Sequence, residues 1–176
     1  MPPASSRAEL LDVVDDDDQV IGQAARGDVY TRRLRHRTVF ILVRDAGERI
    51  FVHQRAADKL VYPSYYDMFV GGVVGAGETY DAAAWREASE ELGVELPAPM
   101  YQFRFRHDGA DYRTWSAVYE LRFAGEVDPP TDEIAWHAFL SESQLRARLA
   151  EWPWPPDSLA AYQQRPSAGL GDAARS

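Results

Sequence analysis

GVVGAGETYDAAAWREASEELGV, residues 72–94, is the stretch on which the fold turns. It joins a glycine-rich loop, Gly71–Gly77, to an unambiguous helix. Thr79 is a good N-cap, Asp81 places a negative charge in the first turn, and Gly93 supplies a residue able to close the helix in the left-handed conformation. Glu87, Glu90 and Glu91 stand at i, i+3 and i+4, so their carboxylates emerge side by side, whereas Trp85, Ala88 and Leu92 fall on another face expected to pack on a sheet. Like charges at this spacing cost a bare helix tenths of a kcal/mol, so the cluster asks for a cation. Oxygen-only ligands suit a hard divalent ion, and such ions are commonly shared with substrate phosphates. Arg86, four residues before Glu90, is placed to pair with a carboxylate, and the amides of the loop, near a helix N-terminus, favour anionic oxygens.

Counted from Gly72, the stretch reads Gly, five residues, Glu78, seven residues, then Arg86-Glu87-Ala88-Ser89-Glu90-Glu91-Leu92-Gly93-Val94. This resembles the Nudix box, with Ala88 standing where a larger aliphatic residue is usual. Seven specified letters, each at a usage of about 7%, coincide by chance about once in 10⁸ starting points. The resemblance implies an α/β fold, an α/β/α sandwich with a mixed β-sheet. It also implies a site for Mg²⁺ or Mn²⁺ held by Glu87, Glu90 and Glu91, with Glu87 or Glu91 as general base. In the family the residue matching Arg86 orients a catalytic glutamate, and the one matching Glu78 supports the loop. The implied activity is metal-dependent hydrolysis of a phosphoanhydride bond in a small diphosphate-containing molecule.

A wider resemblance, from about Leu11 to Leu149, runs towards isopentenyl-diphosphate isomerase through Asp12-Val13-Val14-Asp15, Gly22-Gln23-Ala24, Leu34-Arg35-His36-Arg37 and Tyr62-Pro63. The catalytic Cys-Gly-His of such isomerases is replaced by Gly71-Gly72-Val73, and the chain has no cysteine. His36 is read as a structural hydrogen-bonder. Isomerisation and non-catalytic binding of a nucleotide derivative are the competing functions.

Outward from the box the pattern is mostly strands. Leu11–Val14 and Gln19–Ala24 flank Asp15–Asp18, read as a solvated turn. Thr38–Arg44 and Arg49–Arg55 read as a hairpin around Asp45–Glu48, Asp67–Val70 as a further strand, and Met100–Arg106 with Arg113–Arg122 as a second hairpin. Ile134–Leu140 is a strand, followed by helices at Glu142–Glu151 and Ser158–Gln164 that the proline-rich stretch between them separates. Residues 1–8 and 164–176 are expected to be flexible ends of a single domain spanning 9–163.

Other site candidates are weaker. Glu133, before the strand containing Trp136, is a candidate catalytic carboxylate, and Arg55 and Lys59, with Gly72, are candidates for binding substrate phosphates. Glu120 is expected to point outward, and Tyr62, Tyr65, Tyr66 and Phe69 to belong to core or pocket wall. A net charge of −9, from 19 Lys+Arg and 28 Asp+Glu, repels a nucleic-acid polymer. The absence of cysteine excludes a disulfide framework and a thiol nucleophile. No apolar run is long enough to span a membrane, and a cytoplasmic setting is expected. A homodimer is left open.

Overall fold

The computed structural model describes residues 7–165, so residues 1–6 and 166–176 of the expected loose ends lie outside the described residues. The order is β1 (Leu10–Val14), β2 (Val20–Ala25), α1 (Arg26–Thr31), β3 (His36–Arg44), β4 (Ile50–Arg55), β5 (Tyr66–Asp67), β6 (Val70–Val73), α2 (Tyr80–Leu92), β7 (Met100–Asp108), β8 (Arg113–Arg122), β9 (Ile134–Leu140), α3 (Glu142–Arg148) and α4 (Pro156–Gln164). Seven strands form one mixed sheet and β1 pairs with β2 in a separate ribbon. Gln164, the first residue of the expected tail, is still helical.

β3 is the centre of the sheet. It runs parallel to β8 from His36 to Arg44 and antiparallel to β6 from Thr38 to Ile41. The Asp45–Glu48 turn forms as expected, with Asp45 Oδ1 accepting from the amides of Gly47 and Arg49. The hairpin does not continue beyond it: β3 and β4 are paired only at Arg44 and Ile50. β6 takes the adjoining edge of β3 while β9 and β5 pair with β4, so the strands diverge. The expected Asp67–Val70 strand is split for the same reason. Asp67 pairs with β4 and Val70 with β3, and the step between them is closed by Asp67 Oδ1 accepting from Phe69 N at 3.0 Å.

Gly71 and Gly72, expected in the loop, are part of β6. Gly71 has φ +150°, and a Cβ there would lie 2.0 Å from the Val39 carbonyl oxygen, so only glycine lets β6 approach β3 this closely.

Helix α2 covers one face of the sheet. Thr79 Oγ1 accepts from Ala82 N, and Gly93 closes the helix at φ +68°. Ala84, Ala88 and Leu92 pack against Val39, Ile41, Val43, Ala117 and Tyr119. Leu92 is fully buried, so its truncation to alanine is expected to cost about 2–5 kcal/mol. The small alanines bring the helix close to the strands. Trp85 corrects the expectation: it is 46% exposed, its indole N–H donating to Leu96 O. The buried stripe runs through Ala84, Ala88 and Glu91 instead, carrying one glutamate inward with the apolar residues.

The other face of the sheet, with Leu42, Ile50, Val52 and Val118, is covered by Leu145 of α3, Trp154 and Ala161 of α4. The layers are therefore helix, mixed sheet, helix, as expected for the α/β sandwich. α3 starts in a capping box between Ser141 and Gln144 and ends at Arg148 rather than Glu151. Pro156 opens α4, two residues before the expected start, at a position where its missing N–H costs nothing.

The Asp15–Asp18 run is only partly a solvated turn. Asp16 and Asp17 are exposed, but Asp18 is buried, accepting from Arg37 Nε at 2.7 Å, from Arg104, and from the Tyr80 hydroxyl at 3.1 Å. Those three partners come from β3, β7 and α2, distant in sequence, which is why local composition misread it. Helix α1 was also not foreseen: its six residues, Arg26–Thr31, bury only Val29 and carry no side-chain cap.

Candidate functional site

The loop after β6 is tied down at two points. Glu78 Oε2 accepts from Gly75 N at 2.9 Å, and Asp12 Oδ2 accepts from Gly77 N at 2.9 Å while Asp12 Oδ1 accepts from Gln23. Asp12 thus joins Glu78 in supporting the loop, across 65 residues of chain.

Arg86 binds the loop to the helix. Its guanidinium donates to both oxygens of Glu78 at 2.9 Å, to Glu87 Oε1 at 2.8 Å and to Val73 O at 3.2 Å. The pairing expected with a neighbouring carboxylate is made chiefly with Glu87, the contact with Glu90 being the weakest, at 3.5 Å. The hydrogen bonds to Glu78, and then the charge of Glu87, hold Arg86 above its ordinary pKa, while Glu78 is correspondingly depressed. A fork with five donors satisfies these acceptors together, and a lysine cannot.

Glu87, Glu90 and Glu91 do not share one environment. Glu87 is mostly buried against β6, where a Cβ on Gly72 would fall 2.6 Å from its carboxylate. Gly72 is therefore required for Glu87 to lie where it does. Glu91 is buried, and its Oε2 has no hydrogen-bond partner. Burial, only partly offset by the charges of Lys59 and Arg55, raises its pKa to about 8, and burial raises Glu87 in the same direction. Glu90 is exposed. Among the described residues no three acid or histidine side chains close into a metal cage; Glu87 accepts from Arg86 and Glu90 projects to solvent.

These groups line an open cleft of about 1130 Å³ that also includes Arg55, Lys59, Gly72 and Glu133. The residues expected to bind phosphates are thus beside the glutamates. Lys59 donates through Nζ to Glu133, joining the β4–β5 connection to the turn before β9. Arg26 of the unforeseen helix α1 also lines the cleft, paired with Glu9 at 3.0 Å. Nothing in its local sequence marked it.

The remaining candidates fall elsewhere. Glu120 pairs with Arg122 at 3.3 Å and Arg44 at 3.5 Å and does not line the cleft. Tyr66 stacks on Trp152 at 4.0 Å and Phe69 is core, whereas Tyr62 borders a second cavity next to the cleft. His36 is buried with Nδ1 3.2 Å from Leu34 O, and burial lowers its pKa to about 4, so it is a neutral structural donor.

The family model of the NUDIX domain matches residues 34–162. The chain belongs to the Nudix family. It is 59% identical over 160 residues to an uncharacterized Nudix hydrolase of Streptomyces coelicolor, covering 90% of this chain and 88% of that protein. It is 34% identical over 160 residues to one of Pseudomonas aeruginosa, covering 91% and 95%. The crystal structure of DR0079 from Deinococcus radiodurans is similar at a TM-score of 0.74 and 29% identity, over 89% of this chain and 99% of that one. A Nudix domain of Shewanella oneidensis NrtR in complex with ADP ribose shares the fold at a TM-score of 0.57 and 13% identity, over 73% and 84%. The chain is accordingly a Nudix hydrolase, an enzyme acting on pyrophosphate bonds. Among the described residues no helix is long and apolar enough to cross a membrane.

Proposed function

We propose that this Nudix hydrolase uses Mg²⁺ or Mn²⁺ to cleave the phosphoanhydride bond of a nucleoside diphosphate derivative or similar small molecule by attack of water. The observation that carries the reading is Glu91: a buried carboxylate oxygen with no protein partner, beside Glu87 in a cleft lined by Arg55 and Lys59. A buried charge left uncompensated is costly, and an all-oxygen set of Glu87, Glu90 and Glu91 suits a hard cation.

Those three glutamates are the proposed cation ligands, Glu87 and Glu91 from within the cleft and Glu90 by turning in from solvent. Held there, a divalent cation would supply charge neutralisation for the diphosphate and a lowered pKa for water. The chain's own groups do the rest. Glu87 or Glu91 takes the proton as the water oxygen bonds to phosphorus and the bridging P–O bond breaks, the leaving phosphate departing with the electron pair. Arg86 holds Glu87 in its rotamer, and Glu78 holds Arg86. Arg55, Lys59 and the amides around Gly72 take the phosphate oxygens. Glu133 adds a carboxylate at the rim once Lys59 turns to substrate.

The ADP ribose held by the Nudix domain of NrtR supports a nucleotide derivative as the substrate class. The −9 charge favours a small ligand over a nucleic-acid polymer. The isomerase alternative is disfavoured by β6: a cysteine side chain at Gly71 would collide with the Val39 carbonyl oxygen. A silent binding module has no need of the buried Glu91. The test is release of phosphate or nucleotide from a panel of nucleoside triphosphates, nucleotide sugars, dinucleotides and isoprenoid diphosphates, with and without Mg²⁺. Cation-dependent cleavage of at least one is expected, and cleavage of none would overturn the reading.

A further inference from the structure

The ribbon of β1 and β2 lies ahead of residues 34–162, the segment that carries the family pattern, yet it reaches into the loop before α2. Successive amides of that loop, at Gly75, Ala76 and Gly77, all have acceptors within the protein, and those of Ala76 and Gly77 are supplied by β1. Gly75 N donates to Glu78 Oε2, Ala76 N to Leu10 O and Gly77 N to Asp12 Oδ2, each at 2.9 Å. Leu11 adds a backbone bridge to Gly75. Amides ahead of a helix favour anionic oxygens, and here the chain's own carboxylates, Asp12 and Glu78, meet that preference.

Asp12 is buried, and both of its oxygens are engaged. Oδ2 takes the loop amide, while Oδ1 accepts from Gln23 Nε2 at 2.9 Å, the two residues standing opposite each other across the ribbon. Gln23 therefore aims Asp12, and Asp12 fixes the Gly77 amide. Gly77 has φ +74°, a left-handed conformation that other residues resist, and Glu78 follows it directly. The orientation of that peptide sets where the Glu78 side chain starts. From Glu78 the contacts run on without a gap: Arg86 donates to both Glu78 oxygens at 2.9 Å and to Glu87 Oε1 at 2.8 Å.

We propose that Asp12, aimed by Gln23, is a positioning residue for the cation site: it sets the Gly77–Glu78 turn and, through Glu78 and Arg86, the place of Glu87. The inference rests on the reading that Glu87, Glu90 and Glu91 hold a divalent cation, and adds that a strand outside the family segment governs how well they hold it. Groups that orient a ligand from behind are worth about 10- to 100-fold in metal affinity. Geometry carries the effect, not charge. An asparagine at this position keeps an oxygen for Gly77 N, and its amide meets the Gln23 carbonyl once that side chain turns over.

The experiment titrates Mg²⁺ and Mn²⁺ calorimetrically into the full chain, without substrate, in the parent and in Asp12→Ala, Asp12→Asn, Gln23→Ala and Val14→Ala. Asp12→Ala is expected to weaken cation binding by about 10- to 100-fold, Gln23→Ala by less, and Asp12→Asn to stay close to the parent. Val14, buried in the same strand, is the control: its truncation thins the core without removing a hydrogen bond, so it is expected to lower the melting temperature and leave cation affinity as it was. Unchanged affinity in Asp12→Ala, a loss in Asp12→Asn as deep as in Asp12→Ala, or an equal loss in Val14→Ala would overturn the proposal. Should Asp12→Ala fail to fold, Gln23→Ala decides, and unchanged affinity there overturns it. If the parent binds neither cation, the cation reading fails, and hydrogen exchange at the Arg86 Nε–H still decides the positioning: faster exchange in Asp12→Ala but not in Val14→Ala supports it, and any other result overturns it.

Discussion

Two runs of acids meet opposite fates in this molecule. Asp18, in the turn between β1 and β2, is buried and fully answered from within, by Arg37, Arg104 and Tyr80. Glu91, on α2, is just as buried, yet keeps an oxygen without a partner and a pKa raised to about 8. The first charge is neutralised by the protein's own cations, and the second is the one that, in the proposed reading, a divalent cation meets.

The largest effect that sharpens this contrast is on turnover. Glu91→Gln keeps the volume and is expected to lower kcat by about 10²–10⁴-fold with little loss of thermal stability, read by steady-state kinetics and a melting curve. The mirror-image change is Asp18→Ala, which strands Arg37 and is expected to cost about 3–5 kcal/mol in denaturant unfolding. A variant that stayed as stable as the parent would break the comparison.

Arg86→Lys probes the link between loop and helix. It keeps one charge but loses the fork across Glu78 and Glu87, so activity or cation affinity is expected to fall by about 10- to 100-fold. Asp16→Ala is expected to be the smallest change. Asp16 is 65% exposed despite its pairing with Arg35 at 2.8 Å, so its loss is expected to cost less than about 1 kcal/mol in the same unfolding measurement.

The same contrast explains what could be read from the chain. The Gly72–Val94 stretch was legible because its signals are local: a cap, glycines, and carboxylates spaced along one helix. The helix–sheet–helix layering followed from that stretch and its neighbouring strands. The fate of Asp18 was not legible, since its partners lie 19, 62 and 86 residues away. Trp85 was misplaced because periodicity says which residues share a face but not which face meets the sheet. The β3–β4 hairpin was misread because its turn is local while the competition of β6 and β9 for its strands is not. Arg26 was invisible for the same reason: the fold assembles the cleft from separate segments.

The most direct measurement is the pH dependence of stability with and without Mg²⁺, in the parent and in Glu91→Gln. A carboxylate whose folded pKa is raised keeps its proton in the native state after the unfolded chain has released it. Its contribution is therefore fully present below the ordinary value near 4.5 and is lost as pH rises to about 8. The account predicts that the cation-free parent loses stability across that window, that Glu91→Gln is shallower by up to about 1.4 kcal/mol per pH unit, and that Mg²⁺ stabilises the parent near pH 8 but not the variant. Equal slopes in the two proteins, with no response of either to Mg²⁺ or Mn²⁺, would contradict it.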